Sequence, residues 1–397
     1  MKKKLLIISH AMELGGAERS LIGLLGALNP DIWDTDLFLL RHEGELMPAI
    51  PDDVNLLPEI PAYTVLARPM KNTLKEGHIL LTAARLAGKL AAKRYNQKYT
   101  LQDSAVSLEY SHKFTAPLMP RIQPQKTYDL AVSFLTPHYF AANKVRAKKK
   151  IAWIHTDYSK IQVDRESELK MWDAYDHIAS ISEAVTEGFL KTFPELAQKI
   201  LLIENILPEK LVRRQAAEPI ADMPRDDGEK ILLSVGRFSY AKNFDNVPWI
   251  CKKITEAGLN VKWYLIGYGG GEALIRKNIA QAGMENRVVI LGKRENPYPY
   301  IAACDLYVQP SRYEGNCVTV REAQMLGKPV VITRYATSAS QLEEDVDGVI
   351  VPMDTEGCAD GIAQLLRNPE KMQQLEKSCG RKDYSNLKAA DKLMLLI

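Results

Sequence analysis

Two carboxylates with seven residues between them, Glu314 and Glu322, carry the strongest chemical signal in the chain. They sit in Gln309-Pro-Ser-Arg-Tyr-Glu-Gly-Asn-Cys-Val-Thr-Val-Arg-Glu-Ala-Gln-Met-Leu-Gly327, which reads as strand, loop, helix and glycine stop. Glu314 falls in the loop at the strand's carboxyl end. Glu322 falls within the helix, whose apolar face carries Val318, Met325 and Leu326. Gly315 frees the backbone beside Glu314. The amides around Asn316, Cys317 and Val318 open the helix, where unsatisfied N–H groups and the positive dipole end favour an anion. A carboxylate at Glu322 can accept two hydroxyl hydrogen bonds from a ribose, and Glu314 is placed towards a sugar. The same pattern also suits a plain helix with an acid near its start, stabilised by the dipole.

A second segment, Ser234-Val-Gly-Arg-Phe-Ser-Tyr-Ala-Lys-Asn243, follows an apolar strand. It places Arg237 and Lys242 at the strand's carboxyl end, where open α/β sheets bind ligands. Such a pair can flank a diphosphate and, without a metal, stabilise it as a leaving group whose charge grows. A solvated arginine and lysine account for the same residues when they are taken alone. A third segment, His10-Ala-Met-Glu-Leu-Gly15-Gly16-Ala-Glu18, follows the first strand. Its glycines allow a tight turn and a close backbone approach to a ligand ahead of a helix amino terminus. It is not a Walker-type ATP loop. In a fourth, Lys150–His155, a strand ends in a histidine. His155 can position or polarise a reacting sugar, or be a satisfied structural residue.

Two other patterns fail as sites. Gly267-Tyr-Gly-Gly-Gly271 lacks the GxGxxG spacing, and the next strand ends in Gly292-Lys293 rather than in an acid, against dinucleotide binding. The strings Asp34–Asp36 and Asp345–Asp347 have no accompanying metal ligands and read as structural.

Rigid elements must hold these segments. Strands are expected at Lys4–Ser9, Thr35–Leu40, Tyr128–Phe134, Lys150–His155, His177–Ile181 and Lys199–Glu204. A second set is expected at Lys230–Gly236, Val261–Gly267, Arg287–Leu291, Asp305–Gln309, Pro329–Thr333 and Gly348–Val351. Several are apolar on successive residues, as parallel strands covered on both faces are. Helical patterns alternate with them, so the expected class is α/β with two Rossmann-like halves. The stretch 207–229 is rich in Pro, Ala and Asp and reads as a linker between domains at 1–206 and 230–383. The tail 384–397 is helical in pattern, with Leu387, Ala390, Leu393, Met394 and Ile397 on one face that needs an apolar surface.

The 397 residues are 46% hydrophobic and 25% charged, which excludes disordered, collagen-like and disulfide-rich designs. The five cysteines are scattered and form no CxxC pair, pointing to reduced thiols and a cytoplasmic setting. The first apolar run, Leu5–Ile8, is too short for a signal peptide, and no stretch is long enough to span a membrane.

With these segments together, the chain resembles a retaining glycosyltransferase of the GT-B fold, glycosyltransferase family 4. The resemblance rests on Glu-x7-Glu from Glu314 to Glu322 within Pro-Ser-x-x-Glu-Gly…Glu-Ala-x-x-x-Gly-Lys-Pro-Val-Val, on Gly236-Arg237…Lys242, and on the Gly15-Gly16-Ala-Glu18 loop. It implies two Rossmann-like domains facing across a cleft, with the terminal helix crossing back to the first. It implies that Arg237 and Lys242 bind the donor diphosphate, Glu322 the ribose and Glu314 the donor sugar. The Cys317 and Val318 amides would bind phosphate or ribose, Gly16 would let its loop approach the donor, and His155 would contact the donor sugar. Asn316-Cys317 departs from the usual pair after Glu-Gly, which leaves the sugar preference open. The resemblance implies no enzymic nucleophile, no cofactor and no metal requirement. The donor would be a nucleotide-diphosphate sugar, UDP-linked first and GDP-linked second. A non-catalytic nucleotide-sugar-binding protein of the same fold is the alternative.

The acceptor side is marked by charge. Residues 61–150 hold 16 Lys or Arg against four acids. Arg68, Lys71, Lys75, Arg85, Lys89, Lys93, Arg94 and Lys98 interleave with Leu74, Ile79, Leu80, Leu81, Leu86, Leu90 and Tyr95. This reads as a basic amphipathic helix for an anionic membrane surface, or as a solvated face packed on its own domain. A second cluster is Lys144, Arg146, Lys148, Lys149 and Lys150. No nucleic-acid module accompanies these charges. The expected acceptor is lipid-linked or a surface polysaccharide, at the inner face of the cell membrane.

Overall fold

The computed structural model describes residues 2–101, 104–315 and 317–397. The chain forms two compact units, Met1–Ile206 with Leu387–Ile397, and Leu207–Asn386.

The amino-terminal unit is built on β1 (Lys3–Ser9), β2 (Trp33–Leu39), β3 (Asn55–Leu56), β4 (Tyr128–Ser133), β5 (Ala147–Ile154), β6 (His177–Ser180) and β7 (Ile200–Leu202). They form one sheet in the order β3-β2-β1-β4-β5-β6-β7, parallel throughout. Leu5, Leu6 and Ile7 on β1 are fully buried, as a central strand covered on both faces requires. All six expected strands of this half form. The unexpected one, β3, is a two-residue edge strand too short to leave a periodic pattern.

The carboxy-terminal unit is built on β8 (Lys230–Val235), β9 (Val261–Ile266), β10 (Val288–Gly292), β11 (Leu306–Gln309), β12 (Val330–Thr333) and β13 (Val349–Val351). The order is β10-β9-β8-β11-β12-β13, again parallel. Ile231, Leu233 and Val235 enter one core cluster and Leu232 the other, so alternate residues of β8 bury on opposite faces. Both sheets reverse strand order beside their first strand, β1 against β4 and β8 against β11. The crevice at the carboxyl ends of such a pair is where open α/β sheets take ligands.

Residues 207–229 are not a linker. They include the helix Glu209–Ala216, bury Leu207 and Val212 completely in a core cluster, and receive the Tyr264 hydroxyl on the Pro224 carbonyl at 2.7 Å. Arg225 pairs with Asp305 at 2.9 Å. The local composition is loop-like, but the segment is held by partners about 40 to 80 residues away.

The return of the tail to the amino-terminal unit starts after Asn386, later than expected. Tyr384 and Ser385 remain tied to the other unit, through the Asp347 carboxylate and the Leu207 amide. Leu387–Leu396 is a 3₁₀ helix rather than an α-helix. Three residues per turn change the buried set to Ala389, Ala390 and Leu393, and leave Leu387 and Ile397 on the surface.

Both aspartate strings are structural. Lys126 bridges Asp34 and Asp36, and Asp36 also accepts from Tyr128 and Asn55. Asp347 is buried and accepts from Lys382, Tyr384 and the Glu343 amide.

Candidate active site

The carboxyl ends of β8 and β11 bring two of the sequence motifs into contact. The chain leaves β8 through Gly236, Arg237 and the short turn Tyr240–Lys242. It leaves β11 through Pro310 and Ser311 to Glu314, then enters the helix Val318–Met325. Lys242 Nζ lies 2.6 Å from Glu314 Oε1 and 3.6 Å from Cys317 Sγ. The two partners of this ion pair are only 18% and 12% exposed.

The geometry is supported from below. A Cβ on Gly236 would lie 3.2 Å from Lys242 Cε, so the bare glycine gives the lysine stem room to cross the backbone. Burial works against the Lys242 charge, but the Cys317 sulfur and the Glu314 carboxylate outweigh it and hold the amine above the usual lysine range. Burial first, and Glu314 next, push the Cys317 thiol up. An ammonium has three donors. Glu314 and Cys317 engage two, and the third has no acceptor among the described residues.

Glu314 is also fixed by groups that the motifs did not reveal. Ser311 Oγ donates to its Oε1 at 2.5 Å, Gln309 Nε2 donates to Ser311 Oγ at 2.9 Å, and Tyr307 Oη donates to Gln309 Oε1 at 2.9 Å. Thr337 Oγ1 holds the Glu314 carbonyl at 2.8 Å. Tyr307 and Gln309 share one side of β11, Ser311 continues the spacing just past its end, and that period of two was the available signal. A second brace joins the two loops. Arg312 forms a double hydrogen bond with Asp245 at 2.9 and 2.7 Å, while its backbone amide donates to Ala241. Asn243, with φ +58°, donates its side-chain amide to the Pro310 carbonyl.

The other expected residues divide. Arg237 is exposed and its side chain has no hydrogen bond or ion pair among the described residues, so its guanidinium is available. Glu322 is fully buried and accepts from the Tyr298 hydroxyl at 2.8 Å. The Cys317 amide, expected to meet phosphate or ribose, donates instead to Gln341 Oε1 at 2.6 Å. The Val320 amide donates to the Cys317 carbonyl at 3.2 Å, and the Val318 and Thr319 amides open the helix, where unsatisfied N–H groups favour an anion. Gly315 follows Glu314 in the half-exposed loop. Asn316 lies outside the described residues.

Gly15, Gly16 and His155 belong to the amino-terminal unit and lie at the carboxyl edge of its sheet. Gly15 caps the helix Gly16–Ala27, and a Cβ there would strike the Glu18 carboxylate at 2.0 Å. Gly16 is exposed. His155 directly follows β5, against Phe134 and Trp153, and its Nε2 is buried with no hydrogen-bond partner among the described residues. Burial lowers its pKa to about 3, so it is a neutral imidazole near pH 7. Its expected value as a titrating group is therefore lost, while its capacity to donate or accept a hydrogen bond remains.

Comparison with known proteins follows this division. Residues 217–381 match the family model described as "Glycosyl transferases group 1". A Campylobacter jejuni N-acetylgalactosamine-N,N'-diacetylbacillosaminyl-diphospho-undecaprenol 4-alpha-N-acetylgalactosaminyltransferase is 25% identical over 221 residues, covering 55% of this chain and 58% of that protein. The amylovoran biosynthesis glycosyltransferase AmsK of Erwinia amylovora is 27% identical over 263 residues, covering 58% and 64%. The chain thus spans about three fifths of the length of these curated relatives. Anabaena HepE, solved in complex with UDP and glucose, shares the fold over 99% of this chain and 98% of that one, with TM-score 0.66 and 17% identity.

Proposed function

We propose that this chain, which has the GT-B fold and whose residues 217–381 match the glycosyl transferases group 1 family model, is a glycosyltransferase that moves a hexosyl group from a nucleotide-diphosphate sugar, with retention at the anomeric carbon. UDP is the first choice of nucleotide and GDP the second. The acceptor is lipid-linked or a growing polysaccharide of a bacterial-type cell-surface glycan, and the protein works peripherally at the inner face of the cell membrane. Two relatives named for undecaprenol-linked and amylovoran sugars support this acceptor class.

The reading rests on one observation: a largely shielded lysine paired to Glu314 at the β8/β11 switch point, on the same loop as an Arg237 whose side chain has no partner among the described residues. In the reaction, the bond from the anomeric carbon to the diphosphate oxygen breaks, and the acceptor hydroxyl oxygen bonds to that carbon on the same face. The acceptor's proton passes to the departing diphosphate. Lys242 and Arg237 meet the charge that grows on the leaving oxygens, where fixed donors lower a barrier most effectively. Glu314 orients the donor sugar while holding Lys242. Glu322, positioned by Tyr298, serves the ribose. The two cations perform the charge stabilisation otherwise supplied by a metal, so the reaction is proposed to run without one. No residue is assigned as a nucleophile.

A thermal-shift panel of nucleoside diphosphates and their sugars tests donor binding, because a ligand of the native state raises the melting temperature. UDP and a UDP-sugar are expected to give the largest shifts, reduced in Lys242→Ala. No shift with any nucleotide would defeat the proposal. A donor-hydrolysis assay then separates an enzyme from a non-catalytic binder.

A further inference from the structure

The amino-terminal unit carries a helical pair whose outer face is left unpartnered. Met70–Lys75 and Ile79–Tyr99 are separate helices, divided at Gly77 with φ +86°. The inner face of the longer helix is settled by packing. Leu81, Gly88 and Ala92 are buried, and a Cβ on Gly88 would lie 2.8 Å from the Tyr110 carbonyl, so the helix lies close against Val106–Thr115. The outer face holds Ile79, Leu86 and Leu90, at positions i, i+7 and i+11 of one stripe. Leu74 and Leu80 are exposed beside it, Leu80 by 71%. These leucines do not serve the core of the unit.

The charges separate in the same way. Arg68 pairs with Glu76, and Arg85 turns inward to the carbonyls of Leu66 and Arg68. Lys71, Lys75, Lys89, Lys93, Arg94 and Lys98 are exposed and have no acidic partner among the described residues. The second basic cluster behaves differently. Lys148 pairs with Asp129, Lys149 with Asp176, and Lys144 and Lys150 donate to the Pro117 and Ala142 carbonyls. Of the two basic clusters in the sequence, the helical one alone combines unpaired cations with bare leucines. A shallow groove of about 740 Å³ runs along it, lined by Met70, Leu86, Leu90 and Leu101 and edged by Lys89 and Lys93.

We propose that this face docks the protein on a bilayer rich in anionic phospholipid, with the leucine stripe entering the headgroup–acyl boundary, the groove receiving a lipid chain, and Lys89 and Lys93 meeting phosphates. The inference rests on the membrane setting proposed above and names the surface that makes the contact. An apolar stripe alone would suit many partners. Uncompensated lysines on both sides of it suit a surface that is apolar beneath and anionic above.

Co-sedimentation of the full chain with phosphatidylcholine vesicles, with and without phosphatidylglycerol, tests this. Binding is expected only with phosphatidylglycerol, and it weakens steeply as salt rises. Lys89→Ala and Lys93→Ala should each lower the partition coefficient about fivefold. The pair Leu86→Ser and Leu90→Ser should lower it by about a hundredfold or more, with an unchanged melting temperature because both side chains are exposed. Equal binding by the serine variant would overturn the proposal. So would sensitivity to Lys144→Ala and Lys148→Ala instead, or a dimer that the serine substitutions dissociate without any vesicle binding. Donor hydrolysis by the serine variant should match the parent. If the parent hydrolyses no donor yet binds vesicles, the catalytic reading fails and the docking face stands.

Discussion

Replacing Lys242 by Met keeps the length of the stem and removes the ammonium from a site where it is 2.6 Å from Glu314 and mostly shielded from water. Two costs follow, and they are read by different assays. The first is structural. Removing one member of a buried ion pair strands the other, at about 3–5 kcal/mol. Glu314 retains the Ser311 hydroxyl at 2.5 Å, so the lower end, about 3 kcal/mol, is expected in denaturant unfolding. The second is catalytic. Losing one fixed donor to the developing diphosphate charge is worth about 2–4 kcal/mol, or about 30- to 1000-fold in kcat/KM. Arg237→Ala provides the contrast. Its side chain is exposed and has no partner among the described residues, so turnover should fall on the same scale with no loss of stability. Glu314→Gln completes a cycle with Lys242→Met. The double variant should lose less stability than the two single losses added, by about 1 kcal/mol or more, because the pair acts as a unit. Nucleotide release from a turned-over nucleotide-sugar gives the rates. A folded Lys242→Met enzyme within about threefold of the parent, or strict additivity in the cycle, would refute the assignment of this lysine.

Three further outcomes are expected. Tyr298→Phe removes the hydroxyl bonded to Glu322 at 2.8 Å and should weaken nucleotide binding in titration calorimetry by about 1 kcal/mol, whereas Glu322→Ala should weaken it more than it slows the chemical step. Gly88→Val places a branched side chain against the Tyr110 carbonyl and should cost about 1–3 kcal/mol in unfolding through overpacking; an unchanged midpoint would contradict the close helix crossing. Burial holds His155 near a pKa of 3 and, helped by Arg41, His10 near 4, while unfolded imidazoles titrate near about 6.5. The folded state binds fewer protons in that window, so this share of stability is full above about pH 6.5 and declines as the pH falls towards 4 and then 3. Glu168, raised to about 7 by burial, works in the opposite sense over about pH 4.5 to 7, so the diagnostic is the variant: His155→Gln should shrink the loss of melting temperature between pH 7 and pH 5, and an identical loss would exclude His155 as its source.

Much of this protein was legible in its residues because parallel strands buried on both faces write themselves as unbroken apolar runs. All twelve expected strands form, within three residues at their ends. The motif residues could also be placed at strand ends from the sequence, since a glycine or a charge that follows such a run marks the carboxyl edge of the sheet. Local pattern could not show long-range satisfaction. Composition made 207–229 look like a linker, yet Val212 and Tyr264 hold it in the core. The tail's apolar stripe assumed 3.6 residues per turn, and the chain wound it with three. The two basic clusters in the sequence had different fates, because acids distant in sequence pair with Lys148 and Lys149 while the exposed lysines of the helical cluster have no acidic partner among the described residues.

The sequence by itself determined the class of fold and placed the candidate motif residues at the carboxyl edges of the strands, since both follow from residue type and short-range order. Tertiary structure decided how those groups pair. It tied Lys242 to Glu314 across 72 residues of chain and left Arg237 unpaired. It closed the Cys317 amide with Gln341 and buried Glu322 beneath Tyr298. Such pairings are set by which strands lie side by side, and strand order is fixed only when the whole sheet buries its two faces together.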